Sequence, residues 1–157
     1  MNIYAQANAG LKSGLKASLN SIRSKTFEAE RHLKLMPQIE LQVKHHFSKG
    51  VYARELHIPA DVTLTGEIHK FENLNILSKG SMLVSTENGV VQVDAPFTVV
   101  SPASTKRIAH TLTECVWTTI HGTDEKDIST IKNAFIVETE QEWLEFIGAN
   151  QLKLGFE

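Results

Sequence analysis

Apolar residues between positions 38 and 121 fall in short runs that have the character of β-strands. The runs are IELQV, VYARELHI, DVTLTGEIH, LNILSKGSMLVST, GVVQVD, FTVVS, RIAHTLT and CVWTTIHG. Gly and Pro residues separate them about every eight to twelve positions, as in β-sandwiches and barrels. Asn88-Gly89 predicts a hairpin, because both residues tolerate a positive φ. Helical crossovers between the runs are missing, so the pattern predicts a mainly β sandwich or barrel.

Helical periodicity precedes this region. Apolar side chains recur every three or four positions, at Leu11, Leu15, Leu19 and Ile22. A second segment, TFEAERHLKLM, ends before Pro37, which cannot continue a helix. This arm is too polar to form a core by itself. We therefore expect its apolar stripe to dock on the main body or on another subunit.

Helical periodicity also returns after Thr123. The run DEKDISTIKNAF has apolar residues at helical spacing, and TEQEWLEFIG opens with a capping box formed by Thr139 and Glu142. Gly148 is the expected end of this last helix. Its predicted apolar face consists of Trp143, Phe146 and Ile147.

Composition limits the class of protein. The chain has 157 residues, of which 41% are hydrophobic, so it suits one folding unit with a real core. We divide it into an N-terminal arm at 1–36, a barrel at 37–122 and a C-terminal extension at 123–157. The net charge of -2 gives no electrostatic case for binding nucleic acid. The sequence shows no signal peptide and no apolar run of about 20 residues, so a cytoplasmic protein without a membrane partner is expected.

The stretch TGEIHKFENLNILSKG carries the spacing of a known motif. That motif is a glycine, five residues, His-x-His, three or four residues, a glutamate, six residues and a glycine. Anchoring its last glycine on Gly80 places the two histidine positions at Glu67 and His69, and the glutamate position at Asn73. Over roughly residues 45 to 121 the chain thus resembles the cupins, a family of double-stranded β-helix proteins. The resemblance implies a jelly-roll barrel.

The second motif of that family is Pro-x-Gly, two residues and a histidine. Anchoring its proline on Pro102 places Ser104 at the glycine and Arg107 at the histidine. A guanidinium stays cationic and has no lone pair to donate to a metal. We therefore expect a barrel with no cofactor and no bound metal. If a metal were bound, its ligands would be drawn from Glu67, His69 and Glu72.

A polar barrel mouth is the expected binding site. The pair Lys106-Arg107 favours an anion through charge-assisted hydrogen bonds, although the alternative is a solvated turn pair. Strand alternation places Glu67 and His69 on one face, and if this face points inward, the interior is hydrophilic. The predicted ligand-binding residues are Arg54, Glu67, His69, Lys70, Glu72, Asn73, Asn75, Lys106 and Arg107.

Other histidines have structural explanations. His45 and His46 are adjacent in a predicted strand and should point to opposite faces, so they are not expected to chelate one ion. His121 and Asp124 follow the last strand, where we expect them to cap the next helix. Trp117 should face the same way as Cys115 and belong to the core or to an interface.

The runs HHFSKGVYAREL, GEIHKFENLNILSKG, APFTVVSPASTKRIAH and CVWTTIHGTDEKDI together resemble small cupin-like proteins encoded by bacteriophages. This resemblance implies a viral accessory or structural protein made in the cytoplasm of a host bacterium.

Three functions follow as hypotheses. The first is a non-enzymatic homo-oligomer, assembled through the N-terminal helix or sheet faces, that binds a small anion and sequesters a nucleotide-derived signal against host defence. The second is a structural or accessory protein of the virion. The third is a metal-dependent cupin enzyme or a sugar isomerase.

Overall fold

The structure is a computed structural model that describes residues 22–150. Three helices and eleven short strands follow one another in this part of the chain. They are α1 (22–33), β1 (Gln42–Ser48), β2 (Val51–Ile58), β3 (Thr63–Thr65), β4 (Ile68–His69), β5 (Asn73–Lys79), β6 (Ser81–Thr86), β7 (Gly89–Asp94), β8 (Phe97–Ser101), β9 (Ile108–Thr111), β10 (Cys115–His121), α2 (Ile128–Phe135), β11 (Ile136–Val137) and α3 (Glu140–Asn150).

Two antiparallel sheets form the body of the protein. One has the strand order β1-β2-β10-β5-β8, and the other has the order β3-β9-β6-β7. Strands distant in sequence are neighbours in both sheets, as β2 and β10 are, which is the arrangement of a jelly roll. The main core lies between the sheets and includes Leu56, Leu77, Met82 and Val93. The predicted fold class is confirmed in the described residues as a mainly β jelly-roll barrel that is preceded by a helix and followed by two helices.

Most predicted strands occur at or near their expected positions. The bounds of β2, β7 and β8 equal the predicted runs. The predicted hairpin joins β6 to β7, where Thr86 pairs with Gly89. The run IELQV misplaces β1, which begins at Gln42 and continues through His45 and His46. These polar residues become part of a strand because they pair with β2 across a tight turn.

The described part of the N-terminal arm docks on the barrel. The Lys106 ammonium is buried and donates to the Glu30 carboxylate of α1 at 3.1 Å and to the Gly66 carbonyl at 2.8 Å. It also lies 4.8 Å from the centre of the Phe27 ring. The predicted stripe residues Leu11, Leu15 and Leu19 lie outside the described residues.

The C-terminal helices pack against β4. Val137 of β11 pairs with Ile68, and Trp143 of α3 is buried beside both residues. One half of the predicted capping box is present at Thr139, whose hydroxyl accepts from the backbone N–H of Glu142 at 3.1 Å, whereas the Glu142 carboxylate accepts from the backbone N–H of Glu138 at 2.8 Å. The predicted helix end at Gly148 was wrong, since α3 continues to Asn150.

The cap of α2 also differs from the prediction. Asp127 accepts the backbone N–H of Thr130 at 2.7 Å, as the residue before a helix often does. Asp124 instead accepts from the backbone N–H of Gly50 at 2.6 Å. His121 is buried at the end of β10 and contacts aromatic rings, so neither residue caps the helix.

Within residues 22–150, the helices are too short or too polar to cross a membrane.

Gly80 joins β5 to β6 where only a glycine fits. Its φ is +91°, and an added Cβ would overlap the Glu114 carbonyl oxygen and lie 2.7 Å from the Cys115 sulfur. We expect Gly80→Ala to lower the free energy of unfolding by about 3–5 kcal/mol, because strain and overpacking add. Gly89 has a similar φ of +106° but open space around it, so Gly89→Ala should cost only about 1–2 kcal/mol. Urea denaturation measures both, and equal losses would contradict the steric argument.

Candidate functional site

A cavity of about 560 Å³ lies between the two sheets. Its size falls in the range of small-molecule sites, roughly 300–1,000 Å³. All four positions that align with the cupin ligand positions line it, namely Glu67, His69, Asn73 and Arg107. The spacing argument therefore identified residues that converge on one cavity. Ser104, at the glycine position of the second motif, has the positive φ of 69° that such a position requires.

A row of polar side chains crosses the inner face of the larger sheet. Arg54 of β2 pairs in register with Thr119 of β10, which pairs with Asn75 of β5. Thr119 donates to the Asn75 carbonyl at 2.7 Å, and the Asn75 amide donates to Asn73 at 2.7 Å and to Ser101 at 3.0 Å. These buried groups satisfy one another, so the network forms a rigid polar wall.

The next row of the same sheet is entirely apolar. Val43, Leu56, Trp117, Leu77 and Phe97 pair in register across the five strands. The prediction of a hydrophilic interior is therefore wrong for much of the cavity. Polar lining is confined to one part because successive inward positions on each strand change from polar to apolar.

The smaller sheet adds a second apolar row. Leu64, Ala109, Val84 and Val91 pair in register across its four strands, and all four line the cavity. The cavity is thus walled on both sides by aliphatic side chains. It also reaches solvent, because Ile39 lines it and is 59% exposed.

Two of the predicted cations are neutralised by neighbouring carboxylates. Arg107 lines the cavity, and its guanidinium donates to the Ser85 carbonyl at 2.8 Å and lies 3.4 Å from the Glu87 carboxylate. Lys106 does not line the cavity, since its ammonium binds Glu30 under α1. Both cations are fixed by the protein itself, so neither is the solvated turn residue of the alternative hypothesis.

Arg54 is the cation that differs. It is half-buried, lines the cavity and lies in the polar row beside Thr119. Within residues 22–150 it makes no hydrogen bond and no ion pair with another side chain. Its charge is nevertheless close enough to lower the pKa of His69. A half-buried guanidinium with unused donors is a ready counter-ion for a carboxylate or phosphate.

His69 is an uncharged part of the wall. Burial, followed by the nearby His121 and Arg54, lowers the pKa of His69 from 6.5 to about 3. Its ring stacks on His121 at a centroid distance of 5.1 Å, and His121 stacks on Phe135 at 4.5 Å. Nδ1 of His69 is buried and lacks a hydrogen-bond partner among residues 22–150. The imidazole is therefore neutral at physiological pH.

The other predicted ligand-binding residues lie apart from the cavity or at its edge. Lys70 donates to the Asn133 carbonyl at 2.5 Å and faces the Phe146 ring at 5.5 Å, outside the cavity lining. Glu72 is exposed and also outside the lining, whereas the exposed Glu67 is part of it. The structure thus brings together Arg54, Glu67, His69, Asn73, Asn75 and Arg107.

The suggested metal set does not assemble. Within the described range 22–150, no three His, Cys, Asp or Glu side chains are grouped so as to hold a metal ion. Glu72, the third member of the suggested set, does not reach the cavity that Glu67 and His69 line. The histidines at 45 and 46 point to opposite faces as predicted, one to Tyr52 and the other to Glu55.

The prediction missed several cavity residues that a sequence signal identifies. Trp117 was expected in the core or an interface, and it lines the cavity together with Thr119. Alternation along CVWTTIH places both on the face of the buried Cys115. Ser101 similarly follows from FTVVS, where it shares a face with Phe97.

Comparison of the sequence finds no matching protein-family model and no matching curated protein. Among solved structures, a cupin-2 domain containing protein from Shewanella frigidimarina aligns with a TM-score of 0.42 and 13% identity, over 60% of this chain and 91% of that one. A cupin domain from Bordetella pertussis aligns with a TM-score of 0.43 and 16% identity, over 56% and 98%. An RmlC-like cupin family protein from Methanocaldococcus jannaschii gives 0.45 and 11%, over 54% and 82%.

The buried imidazole predicts a pH dependence of stability. Because the folded pKa of His69 is about 3 and the unfolded value is 6.5, the unfolded state binds more protons between these values. Stability is then complete above about pH 6.5 and falls as pH drops towards 3. His69→Gln should remove up to about 1.4 kcal/mol per pH unit from this slope.

Urea denaturation from pH 7 to pH 4 measures the slope, and the difference between variants cancels the common titration of carboxylates. His32→Gln is the matched control, because His32 is exposed on α1. An unchanged slope in His69→Gln would show that His69 does not stay neutral in the folded protein.

Proposed function

We propose that this protein is a non-enzymatic binding protein that holds a small organic anion in its barrel cavity, with Arg54 as the counter-ion. The observation that carries the proposal is the state of Arg54. It is a half-buried guanidinium that lines a cavity of ligand size, and within residues 22–150 no carboxylate neutralises it. A charge that is partly removed from water without an opposite charge raises the free energy of the folded protein, and binding of an anion would offset that cost.

The surroundings of Arg54 suit recognition of an anion. His69 is neutral and does not repel a cationic neighbour or add a second fixed charge. The network of Asn73, Asn75, Ser101 and Thr119 holds the adjacent wall in place, so the site is preorganised.

The cysteine supports binding over nucleophilic catalysis. Cys115 is fully buried in the main core, away from the polar row. Burial raises the pKa of its thiol, which disfavours the reactive thiolate.

The biological setting of this proposal remains as the sequence predicted it. A nucleotide-derived signal is one anion of the proposed class, and its sequestration in the cytoplasm of an infected bacterium is a hypothesis for that setting. The bacteriophage resemblance itself implies only a viral accessory or structural protein. The virion role also remains a prediction, which mass spectrometry of purified particles tests.

Replacing Arg54 tests the proposal directly. We expect Arg54→Gln to weaken binding of anions by about 10- to 100-fold, since a hydrogen bond to a charged group contributes roughly 1.5–3 kcal/mol. Isothermal titration with hexanoate and with adenosine monophosphate measures the loss. Lys44→Gln is the control, because it removes the same charge from the outer face of the neighbouring strand. Equal affinities for Arg54→Gln and the unmodified protein would refute the proposal.

We also propose that the protein acts as a homo-oligomer through the outer face of the larger sheet. Ala53, Ile120, Leu74 and Val100 pair in register across four strands and form an apolar row on that face. Leu74 is 36% exposed and Val100 is 45% exposed. Light scattering should give a mass of two or more times 17.5 kDa, and Val100→Lys should lower this mass. A single 17.5 kDa species at micromolar concentration would contradict the oligomer.

A further inference from the structure

We infer that the ligand of this cavity is a singly charged amphiphile, a carboxylate with an aliphatic or aryl body, whose head binds Arg54 and whose body lies between the apolar rows. This inference rests on the proposed function and narrows it from small anions in general. It disfavours the multiply charged nucleotides that the sequence suggested.

The cavity lining is divided into a polar part and an apolar part. On β2, Arg54 and Leu56 are successive inward positions, so one step along the strand leads from the free cation to the apolar row. That step is about 6.5–7 Å, which is the length of a few methylene groups. A ligand whose head contacts Arg54 must therefore place its remaining atoms against aliphatic and aromatic side chains.

The opposite wall leads to the same conclusion. The row of Leu64, Ala109, Val84 and Val91 on the smaller sheet lines the cavity and packs against the core that contains Leu56. A ligand body between the two apolar rows loses its contact with water on both sides. Each buried methylene group then adds about 0.8 kcal/mol, or roughly fourfold in affinity.

The charged side chains near the cavity also limit the charge that a ligand can carry. Arg107 is neutralised by Glu87, and Lys106 is bound to Glu30 outside the cavity. Glu67, which also lines the cavity, is an exposed carboxyl group. Within residues 22–150, the cavity lining then holds one cation without an ion-pair partner, Arg54, and one exposed carboxylate, Glu67. This balance suits a ligand with a single negative charge, because a second negative charge would have no cationic partner there.

The entrance through which a ligand reaches the cavity also favours an apolar group. Ile39 lines the cavity and is 59% exposed, so an apolar side chain stands where the cavity meets solvent. A rim of this kind suits the entry of an apolar group. The Ile39 side chain itself gives no hydrogen bond to a ribose or a phosphate.

A chain-length series tests the inference on the full-length protein. Isothermal titration with butyrate, hexanoate and octanoate should show affinity rising about fourfold for each added methylene group. Octan-1-ol, which lacks the charge, should bind at least tenfold more weakly than octanoate. Adenosine monophosphate should also bind at least tenfold more weakly than octanoate.

Two variants separate the head from the body. Arg54→Gln should weaken all three carboxylates by a similar factor and leave the chain-length dependence intact. Val84→Thr, a change of similar volume within the apolar row, should reduce the gain between hexanoate and octanoate without affecting butyrate. Circular dichroism confirms that each variant is folded.

The outcomes distinguish this inference from the proposed function. If affinity does not depend on chain length, or if adenosine monophosphate binds more tightly than octanoate, the amphiphile is wrong and anion binding at Arg54 stands. If octan-1-ol binds with the same affinity as octanoate, or if no anion binds, the proposed function fails as well.

Discussion

Neutralisation of buried charge decides how the helical arm is attached to this barrel, and the proposed binding site depends on the charge that remains. Lys106 is 4% exposed, so its ammonium needs a carboxylate, and Glu30 of α1 provides one. That pair attaches the helical arm to the body. Arg107 is paired with Glu87 in the same way. Charge neutralisation within the chain thus uses the two cations that the sequence marks most clearly, and within residues 22–150 it does not extend to Arg54.

Sheet register determines where the remaining charge lies. Because inward side chains alternate along each strand, Arg54 falls in one cross-strand row with Thr119, and Leu56 falls in the next with Trp117. A shift of one residue would turn all four residues outward. Gly80 helps to fix this register, since the close approach of Glu114 at the turn between β5 and β6 leaves no space for a side chain.

The alternation of polar and apolar residues predicts a strand well where the pairing of strands in the sheet agrees with that alternation. The alternation in β2 and β7, with a turn at each end, defines those strands without further information. The strand β11 is only two residues long and exists because it pairs with β4, so no local signal marks it. The site residues were predictable as inward positions. Which cations are paired with a carboxylate was not predictable, because the partner can be distant in the sequence. Glu30, for example, lies 76 residues from Lys106.

The four positions that align with the cupin motif provide no unpaired cation within residues 22–150, so the proposed anion site depends on Arg54, a residue outside the motif. Glu67 is exposed to solvent, Asn73 accepts a hydrogen bond from Asn75, and Arg107 is held by Ser85 and Glu87. Of the four, His69 is the residue whose ring nitrogen is buried without a partner in the described range 22–150, and its low pKa keeps it neutral. Asn73, His69 and Arg107 therefore form a part of the wall that offers no unpaired charge within residues 22–150. In the proposed binding mode, a ligand that enters this barrel is oriented by Arg54 and bound largely through its contact with the apolar rows.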